Sequence, residues 1–170
     1  VFAVKNEGAA SGGADIVTLF QMANYYNDSD MSGHITVRYR QLAPLETQTI
    51  NEIELDASSG AAFLVFGEGN TDKGVSTDNY DLAFSRTSVT LGEDRQVALA
   101  AAQSQYYNSN GSAKVSVFTN ANSSDKPGNA NDVLAASYDI NELSFTGDEF
   151  EAAINREGEL QMFNPPQTAL

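Results

Sequence analysis

The sequence has no cysteine, which excludes a disulfide framework and a thiolate metal site together. It has one histidine, His34, so any imidazole ligation rests on that side chain and whatever partners it finds. Basic residues are scarce: 9 Lys and Arg stand against 23 Asp and Glu, a formal charge of -14. Such a surface repels nucleic acid and anionic membranes and suits cations, and its simplest role is solubility in a salty or extracellular medium. No apolar run approaches the roughly 20 residues of a membrane-spanning helix, so no direct membrane span is expected. There is no Gly-rich phosphate loop and no nucleophile elbow, and the acid pair Glu52 and Glu54 sits on an outward strand face with no sign of burial. The expectation is a protein that is not an enzyme.

Val1-Phe2-Ala3-Val4 lacks the basic region and long apolar core of a signal peptide. The chain reads as the mature or excised form of an exported protein, extracellular or at the cell surface. A lipid anchor before processing would need a Cys upstream of Val1. Asn27-Asp28-Ser29, Asn110-Gly111-Ser112 and Asn122-Ser123-Ser124 fit the glycosylation sequon.

What the sequence does contain is short alternating segments between turns. His34-Ile35-Thr36-Val37-Arg38-Tyr39-Arg40 places Ile35, Val37 and Tyr39 inward and His34, Thr36, Arg38 and Arg40 outward. Ile53 and Leu55 alternate with Glu52, Glu54 and Asp56. Ile16 to Phe20 is apolar on both faces, which suits a central strand covered on both sides or a helical turn; Ala61 to Phe66 is again apolar on both faces, and Gly67 to Gly74 reads as a polar loop. Tyr80, Leu82 and Phe84 share a face predicted to enter a core, with Asp81, Ala83 and Ser85 opposite. The shift to odd apolar positions at Val89 and Leu91 calls for a bend or bulge between Ser85 and Ser88. Asp81 and Arg86 are either an ion pair locking that bend or surface charges. Gln96 to Gln103 fits a helix or a strand equally. Val115 and Val117, and then Leu160, Met162 and Phe163, read as strands, while Thr146 to Ile154 reads as a short helix capped by Thr146. Val1 to Val4 is a first strand or a free arm, with Gly8 to Gly13 as a flexible connector. The organisation predicted is an arm and connector over 1–13 and a single all-β domain over 14–170, a β-sandwich or irregular barrel with at most one or two short helices.

Glu54 to Ala57, Phe63 to Phe66, Tyr80-Asp81-Leu82-Ala83-Phe84 and Gln103 to Asn108 together resemble the HmuY-like family of surface lipoproteins and haemophores. The likeness covers the middle of the chain. Its short signature, Trp-Asp-aliphatic-Ala-aromatic, has Tyr80 here in place of Trp, and Ser85 stands after Phe84. The resemblance implies an all-β binding protein with haem as a small-molecule ligand. Haem contacts available to it are His34 on the iron, with Met22, Met31, Met162 or a tyrosine as its partner, and Tyr106 and Tyr107 against the porphyrin. Tyr25-Tyr26 is a second aromatic pair able to stack on a sugar or a porphyrin. Separately, Asp28-Ser29-Asp30-Met31-Ser32-Gly33-His34-Ile35 resembles the first two-thirds of an EF-hand loop, with Tyr39 at its final position. It makes Asp28, Asp30 and Ser32 candidate calcium ligands; the alternative is an Asx-rich surface turn. The competing functional class is a structural subunit that pairs with copies of itself, lending Val1 to Val4 or Leu160 to Phe163 as a strand and stabilised by calcium.

Overall fold

Alternation becomes strands wherever a second face is available to bury the apolar side chains. The computed structural model describes residues 1–75, 79–85, 88–101 and 133–147. Within them lie β1 (Phe2–Asn6), β2 (Ile16–Tyr26), β3 (Ser32–Ala43), β4 (Asn51–Asp56), β5 (Ala62–Gly67), β6 (Thr71–Val75), β7 (Leu82–Ser85), β8 (Ser88–Leu91), β9 (Arg95–Leu99) and β10 (Thr146–Gly147). The strands form a six-stranded sheet ordered β10-β9-β1-β2-β3-β4 and a four-stranded sheet ordered β6-β5-β7-β8. All of their pairings are antiparallel. Neither sheet closes on itself among the described residues, so the all-β fold is a sandwich and not a barrel.

The inner faces meet in one core, with Val4, Phe20, Ile35, Val37, Tyr39 and Val97 from the larger sheet against Leu64, Phe66, Leu82, Phe84 and Val89 from the smaller. Phe66 is the hinge of this packing, its ring 6.2 Å from Phe20 and 5.0 Å from Tyr39. Burying each such side chain is worth about 1.5–3 kcal/mol. The larger sheet buries its outer face as well. Ala3, Val17, Leu19, Leu42 and Ala98 pack there with Leu134, and Tyr138, Leu143 and Phe145 lie against them. Residues apolar on both faces in β2 are therefore covered on both sides, which is the strand alternative of the two readings and not the helical turn.

Two readings left open between alternatives are decided as strand, and others are corrected. Val1 to Val4 contributes to a strand and not to a free arm, because β1 pairs with β2 on one edge and with β9 on the other. Gln96 to Leu99 is strand, part of β9. The supposed loop from Gly67 contains β6, which pairs with β5 from Gly67↔Thr71 onward. β7 and β8 pair antiparallel with Ser85 opposite Ser88, a register that sets Phe84 beside Val89 and so accounts for the change of apolar parity; residues 86 and 87, where the bend or bulge is expected, lie outside the described residues. Tyr80 is half-buried against Phe63, ring centroids 5.0 Å apart, instead of joining Leu82 and Phe84 in the core. Thr146 and Gly147 are strand and not a helix start, since their backbone completes the sheet beside β9. Arg86, Val115, Val117, Leu160, Met162 and Phe163 lie outside the described residues.

Two buried charges hold the layers in place. Asp81 is 1% exposed, and its partner is Arg95, whose Nε donates to Oδ1 at 2.6 Å. The Phe66 amide donates to Oδ2 at 2.7 Å and the Asn6 side chain to Oδ1 at 3.2 Å, so one carboxylate ties β1 and β9 to β5. Burial pushes the Asp81 carboxyl above its ordinary range, against the pull of these donors. Arg40, expected on an outward face, is completely buried beneath residues 133–138. Its guanidinium donates to Leu134 O at 2.7 Å, Ala136 O at 2.7 Å, Glu46 Oε1 at 3.0 Å and Thr47 O at 3.1 Å. It also lies 5.9 Å from the Tyr138 ring centroid. A planar fork of donors suits a site that offers several carbonyls at fixed angles.

Candidate functional site

Of the candidate ligands predicted from the sequence, Met22, Asp28, Asp30, Ser32 and His34 all belong to the β2–β3 hairpin, and the hairpin is built by Asn27. Its Oδ1 accepts from the amides of Ser29 and Met31, each at 3.0 Å, while its own amide donates to Met31 O at 3.1 Å. Asp30 takes φ 57°, a left-handed conformation that Asp tolerates better than most residues. Just before the turn, Asn24 Oδ1 accepts from the Tyr25 amide at 2.8 Å and the Tyr26 amide at 3.3 Å. The register slips between Met22 and Asn24 and again between Asn24 and Tyr26, so β2 carries irregularities as it approaches the tip. There the Tyr25 and Tyr26 rings stand nearly perpendicular at 5.3 Å. Tyr25 leans on the core, while Tyr26 is 44% exposed and Met31 55%.

His34 follows on β3, directly opposite Asp56 of β4. Its Nδ1 lies 3.5 Å from Glu54 Oε1 and its Nε2 3.8 Å from Asp56 Oδ1. The imidazole thus stands between two carboxylates, each addressing a different nitrogen. Asp56 is itself fixed by Ser58, whose hydroxyl and amide donate to Oδ1 at 2.6 and 2.9 Å and hold its carboxyl below the ordinary carboxylate range. The Ser58 turn can approach because residue 33 is glycine. Gly33 has φ 89°, and a Cβ there would sit 2.8 Å from Ser58 Cα. Further along β3, Arg38 Nε pairs with Glu52 Oε2 at 2.7 Å.

These positions decide which combinations are chemically open. Met22 pairs with Val37 and packs against the inner core, whereas His34 lies on the other side of β3 with the outward-facing residues. His34 and Met22 are therefore separated by the sheet and cannot clasp one iron between them. Tyr106 and Tyr107 lie outside the described residues. Asp28 and Asp30 are exposed in the Asn27 turn and Ser32 opens β3 opposite Tyr26. Among the described residues no three His, Asp or Glu side chains are gathered as a metal would require. Glu54 and Asp56 are the neighbours of His34 that sequence reading missed. Their alternation with Ile53 and Leu55 was visible, but only the β3–β4 register, His34 opposite Asp56, brings them to the imidazole.

At the opposite end of the hairpin a polar network ties the sheets together. Gln41 Oε1 accepts from the amides of Gly69 and Asn70 at 2.9 and 3.0 Å, and Asn70 Oδ1 accepts from the Gln41 amide at 2.8 Å. Tyr39 donates its hydroxyl to Asp72, and burial together with that carboxylate pushes the phenol far above its ordinary range. Gln41 Nε2 is buried there without a hydrogen-bond partner among the described residues, while the other polar atoms named join the layers to one another.

No protein-family model, curated protein or solved structure was found to match the chain.

Proposed function

We propose that the chain is an exported, acidic, non-catalytic binding protein of HmuY-like type whose ligand face is the β2–β3 hairpin end. The observation that carries this reading is the gathering of an exposed aromatic ring, a thioether and the chain's one imidazole, Tyr26, Met31 and His34, at and beside one hairpin of an all-β sandwich. Haem is the ligand that the resemblance brings. The pair His34 and Met22 does not fit it, because the sheet stands between them, so of these two His34 is kept as the candidate iron ligand. The carboxylates of Glu54 and Asp56 beside both ring nitrogens favour a cationic ligand over an anionic porphyrin. The calcium reading keeps Asp28 and Asp30 as candidate oxygen donors and needs further ones from elsewhere.

Titration of the purified protein with haem, followed at the Soret band, tests the haem part. A saturable shift lost in His34→Ala and kept in Met22→Ala supports His34 as the ligand. A shift lost only in Met22→Ala overturns the face assignment, and no saturable shift retires haem. Repeating the thermal melt with calcium tests the Asn27 turn, where a midpoint raised in the natural protein and unmoved in Asp28→Asn/Asp30→Asn supports calcium there.

The competing reading, a structural subunit assembled by strand donation, has lost one of its donors. β1 is hydrogen-bonded along both edges within its own chain, so Val1 to Val4 has no edge left to lend. Its other donor, Leu160 to Phe163, lies outside the described residues.

A further inference from the structure

We infer that the outer edge of β4 is a docking edge for an extended, basic segment of another protein, added as one more strand of the larger sheet. This inference concerns a backbone edge and does not rest on a ligand at His34. β4 ends the six-stranded sheet, and among the described residues no strand pairs with its other side. An antiparallel edge strand turns half of its amides and carbonyls away from its neighbour, and over six residues it offers a row about 20 Å long. That length suits a peptide backbone and exceeds what a small molecule spans.

The side chains specify the occupant. Glu52, Glu54 and Asp56 are exposed on one face, while Ile53 is half-buried and Leu55 buried on the other. Glu52 already has Arg38, but the one cationic neighbour that Glu54 and Asp56 have among the described residues is His34, at 3.5 and 3.8 Å, while Ser58 donates to Asp56 from its hydroxyl and amide. No Lys or Arg occurs anywhere from Gln41 to Asp72, a stretch holding Glu46, Glu52, Glu54, Asp56, Glu68 and Asp72. Cross-strand neighbours interact at about 5 Å between Cβ atoms, and like charges there are unfavourable. An added strand therefore needs Lys or Arg opposite Glu54 and Asp56, with apolar residues between them to extend the core beside Ile53. A second copy of this chain, carrying -14, is repelled from the same edge.

The test uses the full chain and short peptides alternating Lys with Val, alternating Glu with Val, and alternating Lys with Val but N-methylated on every other amide. Amide hydrogen exchange of β4 comes first, because unprotected outward amides in the free protein are required, and protection of all of them shows the edge already covered and overturns the inference. The Lys peptide should bind and slow that exchange, whereas the Glu and N-methylated peptides should not. Glu54→Gln/Asp56→Asn should weaken binding roughly tenfold, and Glu93→Gln/Asp94→Asn, the same charge change at the β8–β9 turn, should leave it unchanged. Equal loss in both double variants reduces the effect to net charge and overturns the inference, as does undiminished binding of the N-methylated peptide. Haem titration of the Glu54→Gln/Asp56→Asn protein, in which His34 is intact, keeps the two readings separable.

Discussion

At the scale of single residues, the buried cation Arg40 is the most consequential side chain. Its guanidinium satisfies the carbonyls of Leu134, Ala136 and Thr47 and meets Glu46, and removing it strands these acceptors beneath residues 133–138. Arg40→Met fills much of the volume and supplies none of the donors, so unfolding in urea should show a loss of roughly 3–5 kcal/mol. Arg40→Lys keeps the charge but not the fork, and should recover less than half of that loss. A loss below about 1 kcal/mol in Arg40→Met would mean that the carbonyls find other partners. Alternation marked this residue as outward and was right about the face. What it could not show is that this face is itself covered, because the cover comes from residues nearly a hundred positions later. Asp81 teaches the same lesson, for its partner Arg95 comes from β9 and not from the neighbouring sequence.

Elements were legible where one face is buried and one is wet. β3 shows this from His34 to Tyr39, where Ile35, Val37 and Tyr39 are at 1% exposure or less and His34, Thr36 and Arg38 are half-buried. They were less legible where two strands follow each other closely and pair, as at Ser85 and Ser88, because antiparallel pairing and a bulge shift apolar parity alike. The two-residue strand β10 exists only through its pairing with β9, and no local propensity announces it. The candidate site divides the same way. His34 and the Asn27 turn could be read from composition and spacing, but the carboxylates flanking His34 and the sheet separating it from Met22 follow from register alone. The join between hairpin and β4 depends on Gly33, which has a positive φ and no room for a Cβ. Gly33→Ala should cost roughly 2–4 kcal/mol from crowding and backbone strain combined. It should also release the Ser58 turn, seen as faster amide exchange at Ala57 and Ser58. Unchanged exchange there would show that the turn stands without Gly33.

For the molecule as a whole, a charge of -14 is a standing repulsion that every local pair works against. Raising sodium chloride from about 20 mM to about 500 mM shortens the screening length from roughly 20 Å to roughly 4 Å. The thermal midpoint should therefore rise by a few degrees with salt. A fall would place the exposed pairs, such as Arg38 with Glu52 and Lys5 with Glu7, above the general repulsion in importance. The position of β1 has a further consequence, in time instead of in space. β1 precedes its partner β9 by most of the described chain, with Phe2 waiting for Leu99. During synthesis it can pair at once with β2, but its other edge stays open until that far residue arrives. Closing so long a loop is slow, and an open apolar strand edge invites pairing with a neighbouring chain. The interval before β9 arrives is thus when this protein most needs to be kept from its own copies.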